Sequence, residues 1–363
     1  MFAERMERAR ARMAELDVDV LLLSVGADLP YLTGYEAMPL ERLTMLVLPR
    51  EGDAVLLVPR LVVPRVTPRP ELFELVGWEE TDDPVELAAK AAGRPAVAAV
   101  GDRTWARFLV DLLPRLPSTR WVKGSEVTAP LRSVKDAAEV TALRRAAAAA
   151  DRVAAQLQAG EIPLVGRTEA QVSADIGRRL VAEGHDRVNF AIVGAGENAA
   201  SPHHEPSERV IRPGDVVLCD FGGTMDGYCS DITRCVSLGE PDPQLRDLYA
   251  VLQAAQAAAV EAAVVGTPCE DVDGVARRII TEGGYGDHFV HRTGHGIGLE
   301  EHEDPYLVAG NCEALAPGHA FSVEPGIYLQ GRFGARIEDI VVATEAGPEA
   351  LNQADHALVV VDA

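Results

Sequence analysis

The sequence predicts an α+β protein of two domains, an α/β domain over residues 1–129 followed by an α+β domain over residues 130–363. Three observations carry this. At 363 residues the chain is longer than one ordinary hydrophobic core holds together. Up to about Val122, helical and apolar segments alternate, which is the pattern of an α/β layer with a mixed sheet. Near residue 130 the texture changes, and Pro130-Leu131-Arg132-Ser133 gives way to a long alanine-rich stretch.

The elements follow in order. Residues 3–15 alternate Arg, Glu and apolar residues as an amphipathic helix does, and lead into the apolar strand Val18–Leu23. Two more apolar runs, Leu43–Leu48 and Ala54–Val58, flank the turn-forming Glu51-Gly52-Asp53 and read as a hairpin. A helix is expected from about Lys135 to Gln158. Another begins at Thr168, where Thr168 and Gln171 form a capping box. A third starts at Asp242, with Pro243 at its first position. Strand-like segments lie at 188–193, 216–221, 228–236, 319–324 and 336–343. Identities alone support no internal repeat.

Composition narrows the function classes. Hydrophobic residues make up 47% and charged residues 25%, as in ordinary globular chains. A formal charge of −22 argues against nucleic acid or an anionic membrane as partner, since both require a basic face. Five cysteines (Cys219, Cys229, Cys235, Cys269, Cys312) form no C-x-x-C pair, so a disulfide framework or zinc ribbon is not expected and a reducing, cytoplasmic home fits. Neither a signal peptide nor a membrane-spanning run is expected.

The chemistry concentrates in the second domain. Six of the nine histidines fall between His203 and His302. The segments 216–221 and 228–236 flank the turn-rich Gly222–Gly227. A hairpin centred between Met225 and Asp226 would set Asp220 directly opposite Asp231. Phe321–Glu324 and Arg336–Glu338 flank a loop with Gly331 at its midpoint, and a hairpin there sets Glu324 opposite Glu338. Cross-strand neighbours have Cβ atoms roughly 4.5–5.5 Å apart, so each acidic pair repels unless a cation lies between. One such pair is ordinarily a solvated face. Two pairs in one domain, in contexts that read as buried, point instead to a cage for two ions about 3.5–4 Å apart. His295, flanked by Gly294 and Gly296 and spaced four and seven residues from His291 and His302, supplies an imidazole where backbone can approach an ion or substrate.

These segments resemble the pita-bread metallopeptidases, the group of Xaa-Pro dipeptidase (prolidase), aminopeptidase P and methionine aminopeptidase. The matching stretches, in order, are Asp220-Phe-Gly-Gly, Ser230-Asp231-Ile-Thr-Arg, Thr293-Gly-His295-Gly-Ile-Gly, Val323-Glu324-Pro-Gly-Ile-Tyr and Arg336-Ile-Glu338-Asp. The first third resembles the creatinase-type domain that methionine aminopeptidases lack. The resemblance implies a creatinase-like N-terminal domain that serves dimerisation and walls the cleft, then a pita-bread catalytic domain. It also implies two divalent metal ions, most readily Mn²⁺, with Co²⁺ and Zn²⁺ open; the oxygen-rich donor set itself favours hard ions. Asp231 and Glu338 would bridge the ions, Asp220 would bind one with both oxygens, and His295 and Glu324 would complete the set.

The activity implied is hydrolysis of an Xaa-Pro amide bond in dipeptides by a metal-bridging hydroxide. Glu324 would carry the proton, while His302 and His291 hold the substrate and the oxyanion. The alternative is aminopeptidase P action on longer Xaa-Pro peptides. His203 is favoured over His204 as the histidine on the proline side, and Arg336 would fix acidic groups of the site. Where several prolidases carry a carboxylate-binding arginine in His-Glu-x-Pro-Arg, this chain reads His302-Glu303-Asp304-Pro305-Tyr306, so Tyr306 occupies that position. In a homodimer, Arg42 and Glu36 of the 34–42 loop are candidates to meet the substrate carboxylate and amine; a solvated loop is the other reading. Other uses of the fold stay open at this point, namely a metal-free binding module, a creatinase-like amidinohydrolase or a lyase, but all five ligand positions are present.

Overall fold

The computed structural model describes residues 1–362. The chain divides into two compact units, Met1–Arg132 and Ser133–Ala363. Pro130, which marked the expected boundary, lies inside a helix, Ser125–Ser133.

In the first unit the amphipathic start forms α1 (Phe2–Glu15), which buries Met6, Ala9 and Met13 on one face. Six short strands follow: β1 (Val20–Leu23), β2 (Met45–Pro49), β3 (Val55–Pro59), β4 (Glu74–Trp78), β5 (Val97–Val100) and β6 (Arg120–Lys123). Their order in the sheet is β4-β3-β2-β1-β5-β6. The expected hairpin is β2–β3, paired antiparallel with Val47 opposite Val55. β1, β5 and β6 run parallel, so helices must cross over between them. Val85 and Ala88 of the helix Pro84–Ala92, with Phe108 and Leu112 of the helix Ala106–Leu112, close a core over Val20, Leu22 and Leu57.

The second unit begins with the long helix Ala137–Gln158, stopped at its N-terminus by a capping box of Asp136 and Glu139. The expected box at Thr168 and Gln171 starts the helix Glu169–Ala182, and Asp242 accepts from Gln244 N at 2.7 Å to start Pro243–Ala262. One sheet contains β7 (Arg187–Ala195), β8 (Val216–Met225), the short β9 (Tyr228–Cys229) and β10 (Ile232–Leu238). A second contains β11 (Gly294–Gly296), β12 (Glu303–Leu307), β13 (Ala320–Val323), β16 (Asp339–Thr344) and β17 (Gly347–Ala350). The hairpin β14 (Gly326–Leu329) and β15 (Phe333–Arg336) interrupts the second, and β18 (Val359–Val361) edges the first.

A duplication that identities alone did not reveal is plain in the hydrogen bonds. Each half sets two helices before its antiparallel strands, Ala137–Gln158 and Glu169–Ala182 in one, Pro243–Ala262 and Cys269–Glu282 in the other. Gly166 N donates to Ile211 O and Gly266 N to Leu315 O; Ile211 N returns a bond to Arg167 O and Leu315 N to Thr267 O. Glu169 N bonds Arg209 O as Cys269 N bonds Glu313 O. Only scattered matches such as Val165-Gly166 with Val265-Gly266, and Val172 with Val272, survive in the sequence.

Candidate metal centre

The acidic cluster is built by two hairpins. The first turns at Asp226-Gly227, where both residues take positive φ (50° and 85°), as a two-residue type I′ turn requires. This corrects the expected centre between Met225 and Asp226. Asp220 faces Thr233 across the ladder, and Asp231 occupies the gap between β9 and β10 rather than the position directly opposite Asp220. The slip is two residues, so the side-chain face is kept. The second hairpin has the expected register. Val323 faces Asp339 on one side and Gly326 faces Arg336 on the other, which sets Glu324 across from Glu338, and Gly331 turns with φ 74°. Thr233 joins the two hairpins through a bridge to Glu338. Its hydroxyl donates to Glu338 Oε2 at 2.6 Å.

A cavity of about 500 Å³ opens on this junction. Asp220, Asp231, His295, Glu324 and Glu338 line it together with His203, His291, His302 and Arg336. Ligand atoms of Asp231, His295 and Glu338 lie within 4.8 Å of one another. Burial and the mutual repulsion of the carboxylates push Asp231 and Glu338 well above the usual carboxylate range, and burial raises Glu324 to about 7 against the opposing charge of Arg336. Asp220 Oδ1 is buried without a hydrogen-bond partner.

His295 gives the sharpest indication of a cation. Burial lowers its pKa to about 3, so the ring is neutral at neutral pH. Its Nδ1 lies 3.1 Å from the carbonyl oxygen of Gly296, which can only accept, so Nδ1 carries the hydrogen. Nε2 therefore presents a lone pair, 3.3 Å from Glu324 Oε1 and 3.8 Å from Asp231 Oδ2. A lone pair facing two ionised carboxylates is repulsive, and either a cation or a proton held among them removes the repulsion. This donor set fits divalent metal ions, with the backbone-bonded Nδ1–H orienting the ligand nitrogen.

The surrounding groups are fixed from behind. Arg336 donates to Asp220 Oδ2 at 2.5 Å, to Thr233 Oγ1 at 3.0 Å and to the Tyr328 hydroxyl at 2.9 Å. Arg234, fully buried, donates to the Glu338 carbonyl and to Asp339, both at 2.7 Å. Asp273 accepts from Thr293 N and Oγ1 and anchors the segment entering His295. Arg234 and Tyr328 end two of the matching stretches and Arg292 and Glu301 lie between His291 and His302, yet the sequence assigns none of them a role, and Asp273 lies outside every such segment. Arg292 sat between two residues that were singled out; Asp273 lies on Cys269–Glu282, a helix that went unread.

The remaining candidates separate. His302 is exposed, its ring 4.1 Å from that of His295. His291 has both nitrogens engaged, Nδ1 with Arg292 O at 2.7 Å and Nε2 with the Tyr328 hydroxyl at 2.8 Å. His203 lines the cavity, whereas His204 bonds buried Glu169 at 2.7 Å. Tyr306 is not among the lining residues; it pairs with His295 across β11–β12, and its ring lies under Arg292. Arg42 and Glu36 belong to the first unit, where Arg42 pairs with Glu41 and, at 2.8 Å, with Glu80, while Glu36 is exposed.

Comparison with known proteins agrees with this geometry. Residues 141–345 match the model of metallopeptidase family M24, and residues 5–134 match the creatinase/prolidase N-terminal domain. The probable dipeptidase PepE of Mycobacterium tuberculosis is 47% identical, over 99% of this chain and 97% of that protein. The crystal structure of dipeptidase PepE from Mycobacterium ulcerans has a TM-score of 0.94 at 46% identity, covering 100% of this chain and 98% of that one. A prolidase from Thermococcus sibiricus matches with a TM-score of 0.94 at 36% identity, over 99% of each chain. With its ligand-type cluster on the catalytic half and matching folds along its whole length, the chain belongs to metallopeptidase family M24.

Proposed function

We propose that the chain is a dinuclear-metal dipeptidase that hydrolyses the Xaa-Pro bond of proline-containing dipeptides. The observation that carries the metal reading is the His295 lone pair set against Glu324 and Asp231 within a ring of four carboxylates, three of them buried and Glu324 half-buried. The dipeptide and proline parts rest on the relatives, which are named dipeptidase and prolidase. Asp220, Asp231, His295, Glu324 and Glu338 would hold the ions; so oxygen-rich a set favours Mn²⁺ or Co²⁺, and the family resemblance puts Mn²⁺ first, with Zn²⁺ open. Bound divalent ions would supply a water acidified to near-neutral pH and a polarised scissile carbonyl.

The chain's own groups do the rest. Glu324, whose Oε1 accepts from Ser322 at 3.2 Å, borders the cavity where it can take a proton from water and return it to the leaving nitrogen. His302, with no hydrogen-bond partner among the described residues, is available to donate to the substrate carbonyl as charge develops. His291 acts through Tyr328, whose hydroxyl it shares with Arg336. His203 borders the leaving-group side. A homodimer in the cytoplasm, in which the 34–42 loop of one subunit meets the cleft of the other, completes this reading.

Hydrolysis of Ala-Pro, Ala-Pro-Ala and Ala-Ala by the Mn²⁺-loaded enzyme tests it. Preferential cleavage of Ala-Pro is expected. Faster cleavage of the tripeptide would make the enzyme an aminopeptidase P, and equal rates on Ala-Ala would remove the proline preference.

A further inference from the structure

Two arginines line the cavity, and they differ in what they are free to do. Arg336 is spent within the protein, on Asp220, Thr233 and Tyr328. Arg292 is half-buried and makes no side-chain hydrogen bond or ion pair among the described residues. Its guanidinium carbon stands 4.5 Å from the centre of the Tyr306 ring. Tyr306 is itself fixed, paired through the backbone with His295 and accepting at its carbonyl from Asn311 at 2.7 Å. The ring face beneath it attracts the guanidinium and leaves its N–H donors without a hydrogen-bond partner among the described residues. The charge of Arg292 is felt by Glu324, His295 and His302, so it stands within electrostatic reach of the cluster.

A dipeptide carries three polar parts: an amine, one amide and a carboxylate. The acidic cluster attracts the amine end and repels the carboxylate. Arg292 is the lining cation left unneutralised, and a planar fork of donors matches a carboxylate in a two-bond geometry. A third residue in the substrate would replace that carboxylate by an uncharged amide. We infer that Arg292, held on the Tyr306 ring, binds the C-terminal carboxylate of the substrate and so selects peptides of two residues. The inference rests on the dipeptidase reading above and names the residue that sets peptide length.

The test uses full-length Mn²⁺-loaded enzyme with Ala-Pro, Ala-Pro-amide and Asp-Pro, for the wild type, Arg292→Gln and Arg292→Lys. The wild type should favour Ala-Pro over its amide. Arg292→Gln should lose ~30-fold or more of this preference, mainly through KM, with metal content unchanged; this is the loss expected when one partner of a charged hydrogen-bonded pair is truncated. Arg292→Lys should restore part of it, because the charge remains and the fork is lost. Equal losses on Ala-Pro and the amide would overturn the assignment, as would a loss confined to Asp-Pro, which would mean that Arg292 reads an acidic side chain. A wild type that does not distinguish Ala-Pro from its amide would instead defeat the dipeptidase reading on which the inference rests.

Discussion

The His295 imidazole is held in a fixed orientation by the protein itself. Its Nδ1–H is committed to a carbonyl, and its backbone N–H donates to Ser322 Oγ at 3.0 Å. The neighbouring glycines are required by close approach: a Cβ on Gly294 would meet Ser322 O at 1.9 Å, and one on Gly296 would meet Asp304 O at 2.2 Å. The Gly-His-Gly pattern signals close approach, but what comes close is the backbone of neighbouring strands rather than the expected ion or substrate. The partners Ser322 and Asp304 lie on other strands, and no local spacing could name them. Thr233 shows the same limit, since its link to Glu338 exists only once two hairpins meet. Thr233→Val should weaken metal affinity about 10–100-fold while leaving the fold intact, measured by metal titration alongside circular dichroism. In the proposed metal site Glu338→Gln would remove a ligand rather than a support, and kcat should fall by at least ~10³-fold, since several kcal/mol of charge stabilisation would be lost.

At the scale of the element, each hairpin is governed by its turn. The β8–β9 hairpin closes on Asp226-Gly227, and those two letters are the standard signal for a type I′ turn. Centring the hairpin one residue earlier would have demanded positive φ of Met225, for which a bulky side chain is unsuited. The Asp226-Gly227 centre is therefore legible in the sequence, and the two-residue difference from the expected register leaves the side-chain face unchanged. Gly227→Ala places a Cβ in the left-handed region and should destabilise the protein by about 1–2 kcal/mol, read as a lowered midpoint in denaturant. Asp242→Ala, which removes the cap of Pro243–Ala262, should cost about 1 kcal/mol with kcat/KM unchanged. The helix starts at Asp242 and Thr168 were readable because caps are local chemistry. The helix Cys269–Glu282 has no side-chain cap, and it went unread.

For the whole molecule, the catalytic unit repeats one arrangement of two helices and antiparallel strands, and the acidic cluster forms where the two sheets meet, at Thr233 and Glu338. The duplication was illegible because its signature is a backbone hydrogen-bond pattern, which many side chains satisfy equally well. Gathering buried carboxylates at one junction has a thermodynamic consequence. Glu324, at about 7, and Asp231 and Glu338, raised well above the usual carboxylate range by burial and repulsion, hold protons in the folded chain that the unfolded chain releases near pH 4. Folded-state values above the unfolded ones mean that stability of the metal-free protein is lost as pH rises through this window. Divalent ions bind the charged form, so their stabilisation grows with pH. The Tm difference between metal-loaded and metal-free protein should widen by roughly 5 °C or more between pH 5 and pH 8 in differential scanning calorimetry. A difference that shrinks with pH would contradict the buried cluster.

Whether the four carboxylates and His295 hold divalent ions on which activity depends is decided by metal titration of chelator-stripped enzyme with parallel assays on Ala-Pro. Stripped enzyme should be inactive, about two Mn²⁺ should bind per chain, as expected for a two-metal hydrolase, and activity should return as they bind. Stripped protein that is verified metal-free and still hydrolyses Ala-Pro at the original rate would contradict this dependence on metal.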